Sequence, residues 1–464
     1  MTIDVLPEEV FLEVFDFYMH QARCDSFEGI EAWHTLVHVC RQWRNIVFGS
    51  PLRLNLQLLC TAGTPVRERL DVWPALPIRV RDEGATSDLD NIIAALEHND
   101  RICDIVLYEA PNSLFERVSA ALMKEPFPAL THLDLVAHYA TTPAAPPEPF
   151  RGGSAPRLRK FFLENIPIPD LPKLLLSATH LVDLYFNLWD IPHPGYVSPE
   201  AAVTCISTLT SLENLHIDFR LPQSAPDLET QRTRTRTPTR SVLPSLTTFG
   251  FSGFSEYLED FVARIDAPRL NHLKISILKQ IVFDTSHLSD FINRTPRLKA
   301  PDEAHVTFYE LTVFVTLSSP TPGSEEPNVN ISCAESKWRV SSLPQVCISF
   351  SPSLYAVENL YIYQHQYSEP KWRDEEIEDT EWLDLFRPFT IVKNLYICEL
   401  FAPRIVPTLQ VLIEEGITEV LPVLQNIFLE GFQLSERAED DTGQFVAAQQ
   451  LSSHPVTVYG WVRT

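Results

Sequence analysis

Leu130-Thr131-His132-Leu133-Asp134-Leu135 is a six-residue line that the chain repeats along most of its length. Its form is apolar-x-x-apolar-x-apolar. It recurs at Ile102-Ile105-Leu107, Leu158-Phe161-Leu163, Leu181-Leu184-Phe186, Leu212-Leu215-Ile217, Leu246-Phe249-Phe251 and Leu270-Leu273-Ile275. Three more copies stand at Val357-Leu360-Ile362, Val392-Leu395-Ile397 and Leu424-Ile427-Leu429. Successive lines start 23 to 35 residues apart, except for one interval of 87. The second half of each line alternates, which predicts a short strand with its apolar side chains on one face. Segments between lines carry helical patterns at 170–177, 199–207, 255–265, 286–293, 381–386 and 405–414. Proline stands two residues ahead of the line at Pro128, Pro156, Pro244, Pro268 and Pro422. There it ends a helix and hands the chain to the next strand.

One such unit cannot bury its apolar face alone, so neighbours must stack and share a core. The intervals scatter around the ~20–29 residues of leucine-rich repeats, with longer insertions. The predicted fold class is α/β: an irregular leucine-rich-repeat-like α/β solenoid over 101–464, behind a short all-helical N-terminal module at 1–60. Residues 61–100 are read as a connecting segment and a first irregular repeat. The 87-residue interval holds strand-like runs at 305–308, 311–317, 329–333 and 346–350, which fits divergent repeats or a β-rich insertion. Pro-, Thr- and Ser-rich stretches near 140–155, 223–241 and 318–328 read as mobile loops.

Composition narrows the function. The 464 residues are too many for one ordinary core, and 45% hydrophobic content excludes global disorder. A formal charge of −24 repels phosphate backbones and anionic membranes, so neither nucleic acid nor membrane is expected as a partner. The eight cysteines are scattered without a CxxC pair, which points to reduced thiols. The N-terminus lacks the charged and apolar regions of a signal peptide, and no apolar run approaches the ~20 residues that span a bilayer. A cytoplasmic or nuclear location is the expectation.

The N-terminal sixty residues carry two further apolar patterns. Pro7 opens a helical run through Val10, Phe11, Val14, Phe15 and Tyr18, with Glu8 and Glu9 in its first turn, where they complement the helix dipole. A polar stretch follows at 19–32. A second helical run passes Trp33, Leu36, Val37, Cys40, Trp43 and Val47 and ends near Pro51. Leu6-Pro7-x-Glu9-Val10, Val14-Phe15, Leu36, and Val39-Cys40-Arg41-x-Trp43-Arg44 with Ile46 and Pro51 resemble the F-box, in the variant heading many proteins of mushroom-forming fungi. The stretch through Trp73-Pro74-Ala75-Leu76-Pro77 looks like that family's continuation, while the polar insertion departs from the tighter family pattern.

The resemblance implies a substrate-recognition adaptor of a cullin–RING ubiquitin ligase. Leu6, Pro7, Val10, Val14, Leu36, Val39, Cys40 and Trp43 would divide between the module's own core and a Skp-type adaptor. Through that adaptor the chain would reach a cullin, and the repeats would hold a protein substrate. The alternative is a repeat scaffold for protein–protein interaction with no ligase attached.

No constellation for catalysis emerges, and no catalytic residue, metal or cofactor is expected. His34 and His38 lie one helical turn apart, but Thr35 stands where a zinc protease needs glutamate. Gly250-Phe251-Ser252-Gly253 has its second glycine one position too early for a nucleophile elbow. The Thr/Arg run at 230–240 lacks the interleaved aromatics of a nucleic-acid patch. The acids at 374–381, beside Trp372 and Trp382, read as a solvated loop with a weak claim to be a contact site. Residues between the core leucines point outward, and aromatic residues there are frequent binding anchors. Tyr185, His216, Tyr361, Tyr363 and Tyr396 are the candidates for a substrate surface.

Overall fold

The computed structural model describes residues 6–25, 32–82, 89–108, 112–137, 152–166, 171–188, 197–219, 239–278, 285–298, 301–309, 312–318, 329–334, 347, 354–365, 379–414, 420–430 and 456–462. They fall into two units, 1–197 with 208–212 and 198–207 with 213–464. Both are α/β, and both carry the leucine-rich-repeat-like pattern of a strand per line with helices between.

The first unit opens with α1 (Glu8–Asp25), α2 (Trp33–Val39) and α3 (Arg41–Gly49). It continues through β1 (Leu58–Cys60), α4 (Val66–Val72), β2 (Ile78–Asp82), α5 (Leu89–Leu96) and β3 (Ile102–Tyr108). Then come α6 (Asn112–Lys124), β4 (His132–Val136), β5 (Lys160–Glu164), α7 (Leu171–Leu175) and β6 (Asp183–Leu188). The six strands pair in chain order, all parallel. Parallel pairing requires a crossover between neighbours, and α4, α5, α6 and α7 lie in four of these connections, while most of the one between β4 and β5 is outside the described residues.

The second unit begins with α8 (Pro199–Ile206), β7 (Asn214–Phe219), β8 (Ser241–Val242), β9 (Thr248–Gly253), α9 (Ser255–Val262), β10 (Ile265–Asp266) and β11 (His272–Leu278). It goes on through α10 (Ser286–Arg294), β12 (Glu303–Phe308), β13 (Thr312–Ser318), β14 (Val329–Ala334) and β15 (Asn359–Gln364). It ends with α11 (Asp379–Phe386), β16 (Asn394–Ile397), α12 (Ala402–Glu414), β17 (Asn426–Glu430) and β18 (Thr457–Trp461). Its sheet runs β7-β9-β11-β14-β13-β12-β15-β16-β17-β18, while β8 and β10 form a separate pair.

All ten lines form strands, and the alternation sets their faces. Leu133, Leu135, Phe161, Leu163, Leu360, Ile362, Leu395 and Ile397 are buried and face the core. The prolines act more specifically than as helix stops. The N–H groups of Leu130, Leu158, Leu246, Leu270 and Leu424 bond back three residues, to the carbonyls of Phe127, Ala155, Leu243, Ala267 and Leu421. Each proline is thus the second residue of a β-turn, where its fixed φ is already suitable. Leu181, Leu212 and Val357 close the same turn without proline.

The 87-residue interval contains a β-rich insertion. The chain leaves β11, skips two places to β12, returns through β13 to β14 beside β11, and resumes at β15 beside β12. Only β13 is antiparallel to its neighbours. Of the strand-like run 346–350, only Cys347 is described, and it is helical and buried. Most of the stretches near 140–155, 223–241 and 318–328 lie outside the described residues. Their described ends are tied in: Gly153 N–H bonds to Met123 O, Phe127 N–H to Ser154 O, and Ser241 N–H to Arg264 O.

Two expectations for the helical module change. The polar stretch at 19–32 is not loose throughout, because α1 runs on to Asp25 with Met19 fully buried. No glycine or proline interrupts residues 19–25, so nothing stops the helix there. The second helical run is two helices, broken at Cys40, whose backbone is extended (φ −157°, ψ 171°). Cys40 Sγ then accepts the N–H of Trp43 at 3.5 Å and caps α3.

Candidate functional site

The helical module has a core and a bare apolar face. Phe11, Leu12, Phe15 and Met19 of α1 pack with Trp33, Leu36, Val37, Ile46 and Val47, and the cluster extends to Leu54, Leu56, Leu58 and Leu76. Trp43 is half-buried, its ring centroid 4.8 Å from that of Phe15 and 6.0 Å from that of Phe11. Trp73 joins from behind, edge-on to Trp33 at 5.1 Å and stacked on His34 at 4.9 Å. His34 is therefore a packing residue, with His38 lying at 6.3 Å on the same indole. Trp33 Nε1–H donates to Gln57 O at 3.0 Å, pinning α2 to the segment ahead of β1.

The opposite side of α1 is apolar but not covered by any described residue. Leu6 and Val10 are 41% exposed, Val14 53% and Phe17 71%, one helical turn apart along one stripe. Val39 is 56% exposed and Cys40 is exposed at the α2–α3 junction. Of the eight residues singled out in this module, Leu6, Pro7, Val10, Val14, Val39 and Cys40 are at the surface. Leu36 is buried in the core and Trp43 mostly so. Phe17 belongs to the exposed stripe as well, by the same i, i+3 and i+7 spacing.

Outward positions of the sheets have different chemistry in the two units. In the first unit several of them are charged and paired with one another. Arg79 pairs with the Asp104 carboxylate, Arg81 stands 3.9 Å from it, and His132 Nδ1 lies 3.6 Å from its other oxygen. Tyr108 O–H donates to Asp134 Oδ2 at 2.5 Å. Burial and that carboxylate push the Tyr108 phenol up to about 12, and burial raises Asp134. Tyr185 lies in this unit, stacked flat on Phe162 at 4.0 Å.

In the second unit the outward row crosses His216, Gly250 and Lys274 by register. His216 sits above Gly250, where a Cβ would collide with the imidazole. Burial, then the charge of Lys274, lowers its pKa to about 4. Further along the sheet the row becomes aromatic. His305, Tyr361, Tyr396, Phe428 and Tyr459 stand in register on β12, β15, β16, β17 and β18. Their rings stack at 4.4, 4.2, 4.4 and 5.2 Å, with interplanar angles of 19° or less. Tyr363 O–H lies 3.4 Å from His305 Nδ1, and Trp461 leans edge-on against Tyr396 at 5.5 Å.

Beside this stack runs a ladder of amides. Asn394 Nδ2 donates to Asn359 Oδ1 and Asn426 Nδ2 to Asn394 Oδ1, both at 2.8 Å. Of the five candidate substrate residues, Tyr361, Tyr363 and Tyr396 come together, while Tyr185 and His216 lie elsewhere. His305, Tyr459 and Trp461 complete the stack but lie outside the repeat lines. The amide ladder does have a signal, the Asn-Leu or Asn-Ile dipeptide at 359–360, 394–395 and 426–427. Trp382 is not a contact site: it is fully buried between Phe308 and Phe401, while the acids at 374–378 lie outside the described residues.

Among the described residues no group of three or more His, Cys, Asp or Glu could hold a metal ion, and no helix is long and apolar enough to cross a membrane. No protein-family model matches the chain, and no curated protein is similar to it. Among solved structures the chain is similar to the leucine-rich repeat-containing protein LegL7 from Legionella pneumophila, at 11% identity and a TM-score of 0.27 over 85% of this chain and 97% of that one.

Proposed function

We propose that the chain is the substrate receptor of a cullin–RING ubiquitin ligase, with its helical module docking a Skp-type adaptor and its repeats holding a protein substrate. The observation that carries this reading is the split of α1 into two apolar faces. Phe11, Phe15 and Met19 are consumed by the module's own core, whereas Leu6, Val10, Val14 and Phe17 stay exposed with Val39. An exposed apolar stripe such as the one on α1 is the kind of surface that marks an interaction site. An F-box-like head needs this division: one face to fold, one face to bind an adaptor helix. Catalysis belongs to the other subunits, and this chain contributes proximity and orientation.

Full-length chain carrying Val10→Asp and Val14→Asp tests the reading. Both positions are exposed, so the melting temperature stays unchanged while retention of a purified Skp-type adaptor is lost. Failure of the wild-type chain to retain the adaptor, or equal retention by the double variant, overturns it in favour of a scaffold without a ligase.

A further inference from the structure

We infer that the aromatic stack of the second unit docks an extended protein segment carrying arginine side chains. This rests on the receptor reading and deepens it by naming the class of segment that the body takes. The argument begins with charge. Among the outward positions of β12, β15, β16, β17 and β18 the charged residues are Glu303 on β12 and Glu430 on β17. Carboxylates border the aromatic row at both ends, and no lysine or arginine stands on it. Asp302 adds a further negative charge, and with Glu303 it raises the Tyr361 phenol after the larger effect of burial.

The shape of the stack selects among cations. Tyr361, Tyr396 and Phe428 cover one another's ring faces, so they offer only ring edges and, from the two tyrosines, hydroxyls. Tyr459 is 45% exposed and stands on β18, the last strand in the order among the described residues, so one face of its ring closes the stack and the other lies beyond it. Trp461, on the same strand, reaches back over the row, its ring 5.5 Å from that of Tyr396 and 6.2 Å from that of Tyr361. A planar guanidinium can lie on such a ring while its N–H groups reach a hydroxyl or carboxylate; a compact, strongly hydrated ammonium does this less well. The amides of Asn359, Asn394 and Asn426 spend hydrogen-bonding capacity on one another. An acidic segment or a phosphate backbone meets repulsion here.

The test uses the full-length chain and a fluorescein-labelled, unstructured Gly/Ser peptide bearing spaced arginines, read by anisotropy at physiological salt. Its counterparts carry lysine, citrulline or glutamate instead. The arginine peptide binds tightest, about tenfold over citrulline, a difference of about 1.4 kcal/mol. Tyr459→Ala and Glu303→Gln/Glu430→Gln each weaken it severalfold, while neutralising exposed acids elsewhere (Glu68→Gln/Asp71→Asn) has no effect. Tyr459→Phe, which keeps the ring face while losing only its hydroxyl, guards against loss of fold and recovers most of the binding that Tyr459→Ala loses. Equal binding of arginine and citrulline peptides overturns the inference, as does an equal loss in the Glu68/Asp71 control. Adaptor retention measured on the same preparations separates the two readings. Retention without arginine preference overturns this inference alone, and arginine preference without retention supports it while overturning the ligase.

Discussion

The carboxylate of Glu259, in α9, accepts the backbone N–H of Leu288 at the start of α10, at 2.9 Å. Its second oxygen takes the N–H of His287 at 2.7 Å. The first N–H groups of a helix have no partner within it, and a carboxylate there also meets the positive end of the dipole. One repeat thus caps the next. Thr285, which precedes α10, makes no side-chain cap of its own, so the cap depends on Glu259. Glu259→Ala should destabilise the second unit by about 1–3 kcal/mol, since it orphans two donors near a buried site. Glu259→Gln, which keeps one acceptor, should cost less. Urea denaturation ranks them, and equal stability of wild type and Glu259→Ala would refute the cap.

His216 and Gly250 form a second cross-strand dependency. Gly250→Ala drives a methyl into the imidazole, a flexible obstacle, so overpacking should cost about 1–3 kcal/mol rather than abolish folding. In a His216→Ala background the same change should cost well under half as much. The double-mutant cycle measures this coupling. Additive effects would mean that the glycine serves another purpose.

The same histidine gives a pH dependence with a definite sign. Its folded pKa is lowered to about 4 from the ordinary 6.5, so the unfolded chain takes up the proton first. Stability from this group is complete above 6.5 and is lost as pH falls towards 4. The difference amounts to about 3 kcal/mol at most. His216→Gln should flatten the stability profile between pH 7 and pH 4 relative to wild type. Parallel profiles would show that His216 is freely protonated in the fold.

Asn394 both donates and accepts in the amide ladder, so its two neighbours respond to its loss together. Asn394→Asp removes the donor to Asn359 and sets a charge against that oxygen. A cost of about 1–3 kcal/mol at pH 7 is expected, shrinking as the pH drops below about 4, where the new carboxyl regains a proton. Asn394→Leu should cost a similar amount without the pH dependence. Guanidinium titrations at the two pH values make the comparison.

How far these features could be read from the sequence varied with their periodicity. The ten lines became strands because apolar alternation at fixed offsets leaves one solution for burial. Tyr361 and Tyr396 were legible as outward neighbours from the same offsets. β18 was not, because Thr457-Val458-Tyr459-Gly460-Trp461 offers only Val458 and Gly460 to the core side. β1 is three residues long, and β2 meets β3 across a register shift at Ile78/Arg79, so neither holds a full line. The strands of the insertion at β12–β14 were legible as apolar runs, but their order was not, because β11 pairs with β14 and β12 with β15 across long sequence separation, which no local pattern encodes. The break at Cys40 has no glycine or proline to announce it. The Glu259 cap spans 29 residues and leaves no trace in either helix's own pattern.

Nor does periodicity divide α1, where Val10, Phe11, Val14, Phe15 and Phe17 are all apolar and read alike. Structure separates them: Phe15 is fully buried against Trp43, and Val14 is 53% exposed. Phe15→Ala should therefore cost about 3–5 kcal/mol, as for other buried aromatic truncations, and weaken adaptor retention only through unfolding. Val14→Ala should leave stability within about 0.5 kcal/mol, yet reduce adaptor retention in proportion to the apolar area removed. Thermal melts run beside retention assays distinguish the two kinds of loss. A stability cost at Val14 as large as at Phe15 would mean that the exposed stripe is part of the fold, and the proposed docking face would fall with it.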